Sequence, residues 1–134
     1  MFIDNNNQIS KEKLRGKVIA YPTDTVFGIG AMIDDLKAIS KIYKLKKRSF
    51  DKPLAILASK VEDILPYIEM PSEEILNIMK KYWPGALTII FKKNHSITSQ
   101  HISRFDTIAF RIPNNTIALN ILEKTGPLAT TSVN

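Results

Sequence analysis

Apolar residues recur along this chain in short blocks separated by turn-forming residues. Residues 17–21, Lys-Val-Ile-Ala-Tyr, form an apolar run bounded by Gly16 and Pro22, the pattern of a buried strand. Gly28-Ile-Gly-Ala-Met-Ile33 supplies a second strand. Asp34 and Asp35 then offer an N-cap, and Leu36, Ile39, Ile42 and Tyr43 repeat at helical spacing up to about Lys46. Residues 53–59 read as a strand and 60–65 as a short helix. The strongest helix signal covers 72–83, opened by Ser72-Glu73-Glu74 and closed before Pro84. Residues 86–93 and 107–113 are strands, 115–124 a helix and 127–134 a final strand. Helices interleaved with apolar strands predict an α/β layer structure around a mostly buried sheet.

Alternation within the strands brings out polar residues on shared faces. Read as an extended segment, Tyr21-Pro-Thr-Asp-Thr25 turns Thr23 and Thr25 one way and Asp24 the other. Ile108, Phe110 and Ile112 share a face, which leaves Thr107, Ala109 and Arg111 opposite; Thr130, Ser132 and Asn134 align in the last strand. An arginine among apolar strand residues requires an anionic partner or an open cleft, because an unpaired buried charge is costly. An ion pair with Asp106 or Glu123 accounts for Arg111 as well as a bound anion does. Gly28 and Gly30 begin a G-x-G, but Ile33 stands where a dinucleotide fingerprint needs its third glycine, and no P-loop sequence occurs. By themselves Pro22 and the glycines signal a turn between two strands.

Composition narrows the chemistry. A length of 134 residues predicts one domain spanning 1–134. No apolar run approaches the ~20 residues of a membrane span, and the polar start lacks the apolar core of a signal peptide, so a cytoplasmic protein that does not engage membranes is expected. The absence of cysteine excludes disulfides, thiol catalysis and thiolate metal sites; with His95 and His101 alone, a histidine-rich metal site is not expected either. The net charge of +6 is concentrated: residues 37–60 carry eight basic side chains against Asp51. Most of these lysines read as a solvated helix face. Lys46 differs, because at ~100° per residue it continues the sector of Ile39, Ile42 and Tyr43 and is expected to point inward over the strand ends.

Five ordered motifs then stand together: Tyr21-Pro-Thr-Asp-Thr-Val-Phe-Gly-Ile-Gly30, Lys46-Lys-Arg48 followed by Lys52-Pro-Leu54, Trp83-Pro-Gly-Ala-Leu-Thr88, Ala109-Phe-Arg-Ile-Pro113 and Thr131-Ser-Val-Asn134. In order and spacing they resemble the YrdC-like threonylcarbamoyl-AMP synthases over roughly residues 10–134. The resemblance implies a three-layer α/β fold with a twisted mixed sheet flanked by helices and a positively charged concave cleft. It also implies a reaction: L-threonine, bicarbonate and ATP give threonylcarbamoyl-adenylate and pyrophosphate, for modification of tRNA. No protein nucleophile is needed, so catalysis rests on positioning and on cations that offset phosphate charge. The matched positions make Lys46 and Arg48 the catalytic phosphate cations. Lys46, Arg48, Phe50, Thr107, Ser132 and Asn134 would bind ATP, and Thr23, Arg111 and Thr130 would bind L-threonine. Mg2+ would accompany ATP on its phosphates, with no metal ligand set from the protein.

Phe27 stands where the family usually has tyrosine, and Ala86 replaces the second proline of the P-G-P-L-T pattern. Family members generally continue for tens of residues beyond the position of Asn134; an uncovered final strand predicts exposed apolar surface and a homodimer. The resemblance extends to tRNA or double-stranded RNA and to downstream threonylcarbamoyl transferase proteins as partners. Two alternatives are a noncatalytic RNA-binding module using the basic segment 37–60, and a carbamoyl-phosphate-using relative, which would have no use for Thr23 and Arg111.

Overall fold

The computed structural model describes residues 2–3, 9–94 and 106–133. Seven strands form one mixed sheet: β1 (Phe2–Ile3), β2 (Ile19–Tyr21), β3 (Gly28–Met32), β4 (Ala55–Leu57), β5 (Ile89–Lys92), β6 (Thr107–Arg111) and β7 (Leu128–Ser132). Their order across the sheet is β1-β2-β3-β7-β4-β6-β5. The pairs β1/β2 and β4/β6 are parallel and the others antiparallel. Among the described residues four α-helices accompany it: α1 (Lys11–Leu14), α2 (Leu36–Lys46), α3 (Glu73–Tyr82) and α4 (Thr116–Thr125).

The two sheet faces bury different residue sets. Ile29, Ala31, Ile56, Phe110 and Ala129 pack against Ile39, Ile42 and Tyr43 of α2 and Met79 of α3. On the opposite face Ile19, Tyr21, Met32, Leu57 and Leu128 pack against Leu14 of α1 and Ala118, Ile121 and Leu122 of α4. This gives three layers, with helices on both sides of a sheet whose strands are too apolar to face water. The second face is covered only in part. At β5 and β6 it carries Ile90, which is 70% exposed, together with exposed Lys92 and Thr107.

The helix ends follow from local chemistry. Asp35 caps α2 by accepting from the Ala38 N–H at 3.1 Å, Ser72 caps α3 through the Ile75 N–H, and Asn115 caps α4 through the Ala118 N–H. Glu73 and Glu74 in the first turn of α3, with Lys80 and Lys81 in its last, complement the helix dipole. Helix α2 stops in a left-handed residue, Lys47 at φ 50°, with the Arg48 N–H bonded to the Tyr43 carbonyl and the Lys47 N–H to that of Lys44. That is a Schellman ending, with lysine where glycine is usual.

Several expectations need correction. Leu36 is 54% exposed; the buried stripe of α2 is Ala38, Ile39, Ile42 and Tyr43. The helix expected over 60–65 is instead two 3-10 turns, Val61–Asp63 and Leu65–Tyr67, as suits a sequence with Pro66 in its second turn. The pattern gave no hint of β1 or α1, which are too short to develop a periodic signal. Residues 23–27 form a turn and not an extended strand, although Thr23 and Thr25 still lie together, their hydroxyls 3.1 Å apart.

Asp35 does more than cap a helix. Its second carboxylate oxygen accepts the Gly16 N–H at 2.6 Å, and the side chain is 5% exposed. Asp35→Ala therefore removes a cap and strands a backbone donor, for an expected loss of about 2–4 kcal/mol in chemical denaturation. Asp34→Ala breaks only an exposed pair with Arg15 and is expected to cost less than about 1 kcal/mol.

Candidate functional site

Gly28 and Gly30 face the same side of β3, opposite Ser132 and Thr130 of β7. A Cβ on Gly28 would come within 2.7 Å of Thr130 Cγ2, and one on Gly30 within 2.9 Å of the Tyr21 ring and 3.2 Å of Thr130 Oγ1. The two glycines thus clear the space in which Thr130 and Tyr21 meet. The buried Tyr21 hydroxyl lies 2.6 Å from Thr130 Oγ1. Because Thr130 spends its single proton on the Leu128 carbonyl at 3.0 Å, Tyr21 is the donor of that pair. Burial pushes the Tyr21 phenol far up; the hydrogen bond to Thr130 and the charge of Arg111 oppose this without overcoming it, so the donor stays protonated. The Thr130 hydroxyl therefore has one lone pair left, and no proton, to offer a ligand.

Residues 23–26 form a tight turn around one hydroxyl. Thr23 Oγ1 donates to the Val26 carbonyl at 2.6 Å, accepts the Thr25 N–H at 3.2 Å and lies 3.1 Å from Thr25 Oγ1. With its proton committed to Val26, Thr23 must accept from the Thr25 hydroxyl, which fills its hydrogen-bonding capacity. Its role here is to shape the turn. The Asn115 amide donates to the Thr23 carbonyl at 3.4 Å while its oxygen caps α4, tying this turn to the helix.

Arg111 is 8% exposed. Its partner is neither Asp106 nor Glu123: Nη1 donates to Asp24 Oδ1 and, at 3.1 Å, to the Gly85 carbonyl. Gly85 can take no side chain, since its Cβ would collide with the Tyr82 carbonyl oxygen. Burial would raise the Asp24 carboxyl. The hydrogen bond from Arg111, the Asn114 backbone N–H and the charge of Arg111 outweigh it and hold the carboxyl below its ordinary value. Gly85, Asn114, Asn115 and the Asp24 pairing escape sequence reading because they are contacts between distant segments; the fixed P-G step before Ala86 is the one local signal.

These pieces enclose a cavity of about 160 Å3 whose wall includes Thr23, Gly28, Leu57, Arg111, Thr130 and Ser132. Four of the expected site residues, Thr23, Arg111, Thr130 and Ser132, are thereby brought together. Thr107 is not in the wall. The register still puts it on the same face, since Leu57 pairs both Arg111 and Leu128, which sets Thr107 level with Ser132 two strands away, roughly 10 Å. Lys46, Arg48 and Phe50 lie outside the cavity, on the segment that leads into β4. Lys46 is half-buried, unlike exposed Lys37, Lys41 and Lys44. Arg48 folds onto the carbonyls of Lys52 and Pro53 at 3.2 and 3.0 Å, and the Tyr43 hydroxyl also donates to Lys52. Phe50 stacks on Tyr43 with ring centroids 4.6 Å apart. Phe27 exposes 57% of its surface. Asn134 and the two histidines, His95 and His101, lie outside the described residues.

The family model for Sua5/YciO/YrdC, described as "Telomere recombination", matches residues 13–134. The chain belongs to the Sua5/YciO/YrdC family. It is 36% identical over 121 residues to the threonylcarbamoyl-AMP synthase of Enterobacter sp. (strain 638), covering 88% of this chain and 64% of that protein. It is 35% identical over 133 residues to that of Vibrio campbellii, covering 97% and 72%. The crystal structure of P. abyssi Sua5 complexed with L-threonine superposes with a TM-score of 0.85 at 33% identity, over all of this chain and 42% of that one. This Sua5/YciO/YrdC chain thus spans 64% and 72% of the length of those two bacterial relatives and less than half of P. abyssi Sua5.

Gly30→Ala is expected to cost about 1–3 kcal/mol, because its neighbours are a packed ring and two strand side chains that cannot yield. A melting temperature within a degree of the parent's would contradict that packing. Asp24 gives a pH signature. Its depressed carboxyl contributes stability that is complete above the unfolded value near ~4 and is lost as pH falls through the lower folded value. Thermal melts below about pH 4 should fall more steeply for the parent than for Asp24→Asn.

Proposed function

We propose that this chain forms threonylcarbamoyl-AMP and pyrophosphate from L-threonine, bicarbonate and ATP. The observation that carries the reading is the convergence of Arg111, Thr130, Ser132 and the 23–26 turn on one small cavity at the uncovered part of a sheet face. The family membership supports it, as does the capture of L-threonine by P. abyssi Sua5.

In this reading the cavity takes the amino acid and the adjoining open face takes the nucleotide. Arg111 receives the threonine carboxylate on the edge of its guanidinium not engaged through Nη1. Leu57 presents apolar surface to the substrate side chain. The threonine amine attacks bicarbonate carbon with loss of water; the resulting carbamate oxygen attacks the α-phosphorus, and pyrophosphate leaves. Ser132 and Thr107, level on one face, would span the nucleotide, and Lys46 and Arg48 at the entry to β4 would offset phosphate charge. For Arg48 this adds to the loop clamp it already makes. Among the described residues no three His, Asp or Glu side chains converge as a metal site. Magnesium would therefore enter on the phosphates of ATP. No described helix is long and apolar enough to cross a membrane. The adenylate would pass to a protein that transfers its threonylcarbamoyl group to tRNA.

The test is pyrophosphate release with ATP, bicarbonate and each amino acid in turn: threonine alone should support it, and release without an amino acid, or none at all, would count against the proposal. Within that assay Lys46→Ala is expected to lower turnover by about 100-fold or more, and exposed Lys44→Ala by less than about twofold. Equal losses would replace a defined phosphate site by a diffuse basic surface.

A further inference from the structure

Asp24 sits between two residues that wall the cavity, Thr23 and Thr25, yet is not itself part of that wall. Its carboxylate instead meets Arg111 Nη1 and the Asn114 N–H. Arg111 Nη1 is held a second time by the Gly85 carbonyl. Both anchors act on one nitrogen of the guanidinium, from the turn at 24 and from the loop at 85. A carboxylate docking on Arg111 therefore meets a fork whose orientation is already fixed.

We infer that Asp24 is a positioning and selectivity residue: it aims Arg111 at an amino-acid carboxylate and cancels the charge that would otherwise draw phosphate into the same cavity. The inference rests on the amino-acid reading of this cavity given above. An amino acid is a zwitterion, whereas the second substrate is a polyanion. An unpaired guanidinium 8% exposed at a cavity wall would attract phosphate strongly, and its neutralisation by Asp24 discriminates against the wrong ligand by removing that attraction. The pair leaves directional N–H donors in place for a carboxylate.

Binding of L-threonine is measured by calorimetry on the 134-residue chain, with and without inorganic phosphate, and binding of ATP is measured separately. The parent should bind threonine with little dependence on phosphate. Asp24→Asn, which keeps the shape and one acceptor, should bind threonine about 10- to 100-fold more weakly, retain ATP affinity within about threefold, and become sensitive to competition by phosphate. Asp24→Ala should show the same pattern more strongly. Threonine bound equally by parent and Asp24→Asn would overturn the inference alone. So would a parallel loss of threonine and ATP with no effect of phosphate, the mark of a purely structural pair. A parent chain that binds ATP but no threonine would overturn the amino-acid reading and this inference with it.

Discussion

A buried guanidinium must find its hydrogen-bond acceptors within the protein, and Arg111 imposes that requirement on the whole site. It stands at the end of β6, next to the edge strand β5, and its acceptors come from the turn at Asp24 and the loop at Gly85. Those segments are far apart in sequence and are held close because the charge would be costly without them. The turn is tied again through Asn115 to the start of α4, and the Gly85 N–H is bonded to the Ile112 carbonyl just past Arg111. Three of the five sequence motifs are thereby joined through one side chain.

The glycines answer to a second constraint, that of close approach. Gly28 and Gly30 lie in ordinary strand backbone, and their importance is the volume they leave to Thr130 and Tyr21. This packing fixes which atoms face the cavity. The Thr130 proton goes to Leu128 and the Thr23 proton to Val26, so two hydroxyls that resemble ligand donors are committed to the scaffold. Arg111 is the cationic donor at the wall, which gives a carboxylate the advantage over a neutral ligand.

Much of this was legible in the sequence, and the failures have physical causes. Strand parity correctly put Thr130 with Ser132 and Arg111 away from Ile108 and Phe110, because those residues lie in regular strands where side chains alternate. At Thr23–Thr25 the predicted grouping holds in a turn and not in a strand: Thr23 and Thr25 share the cavity wall, and Asp24 meets Arg111. The caps at Asp35 and Ser72 are local and were readable; Leu36 was misread because the apolar stripe of α2 runs through Ala38 instead. The inward reading of Lys46 fits its partial burial, but α2 packs on the face opposite the cavity, and helical geometry alone carried no information about that. Asp24 as the partner of Arg111 was not readable, since 87 residues separate them and Asp106 and Glu123 were nearer along the chain.

The central claim is that the Arg111 cavity holds an amino-acid carboxylate. A crystal structure of this chain grown with L-threonine tests it most directly. The account predicts the threonine carboxylate paired with Arg111, the ligand lying between Gly28, Thr130 and the 23–26 turn, and the Asp24–Arg111 pair intact. Threonine bound elsewhere, or bound here with its carboxylate away from Arg111, would contradict it.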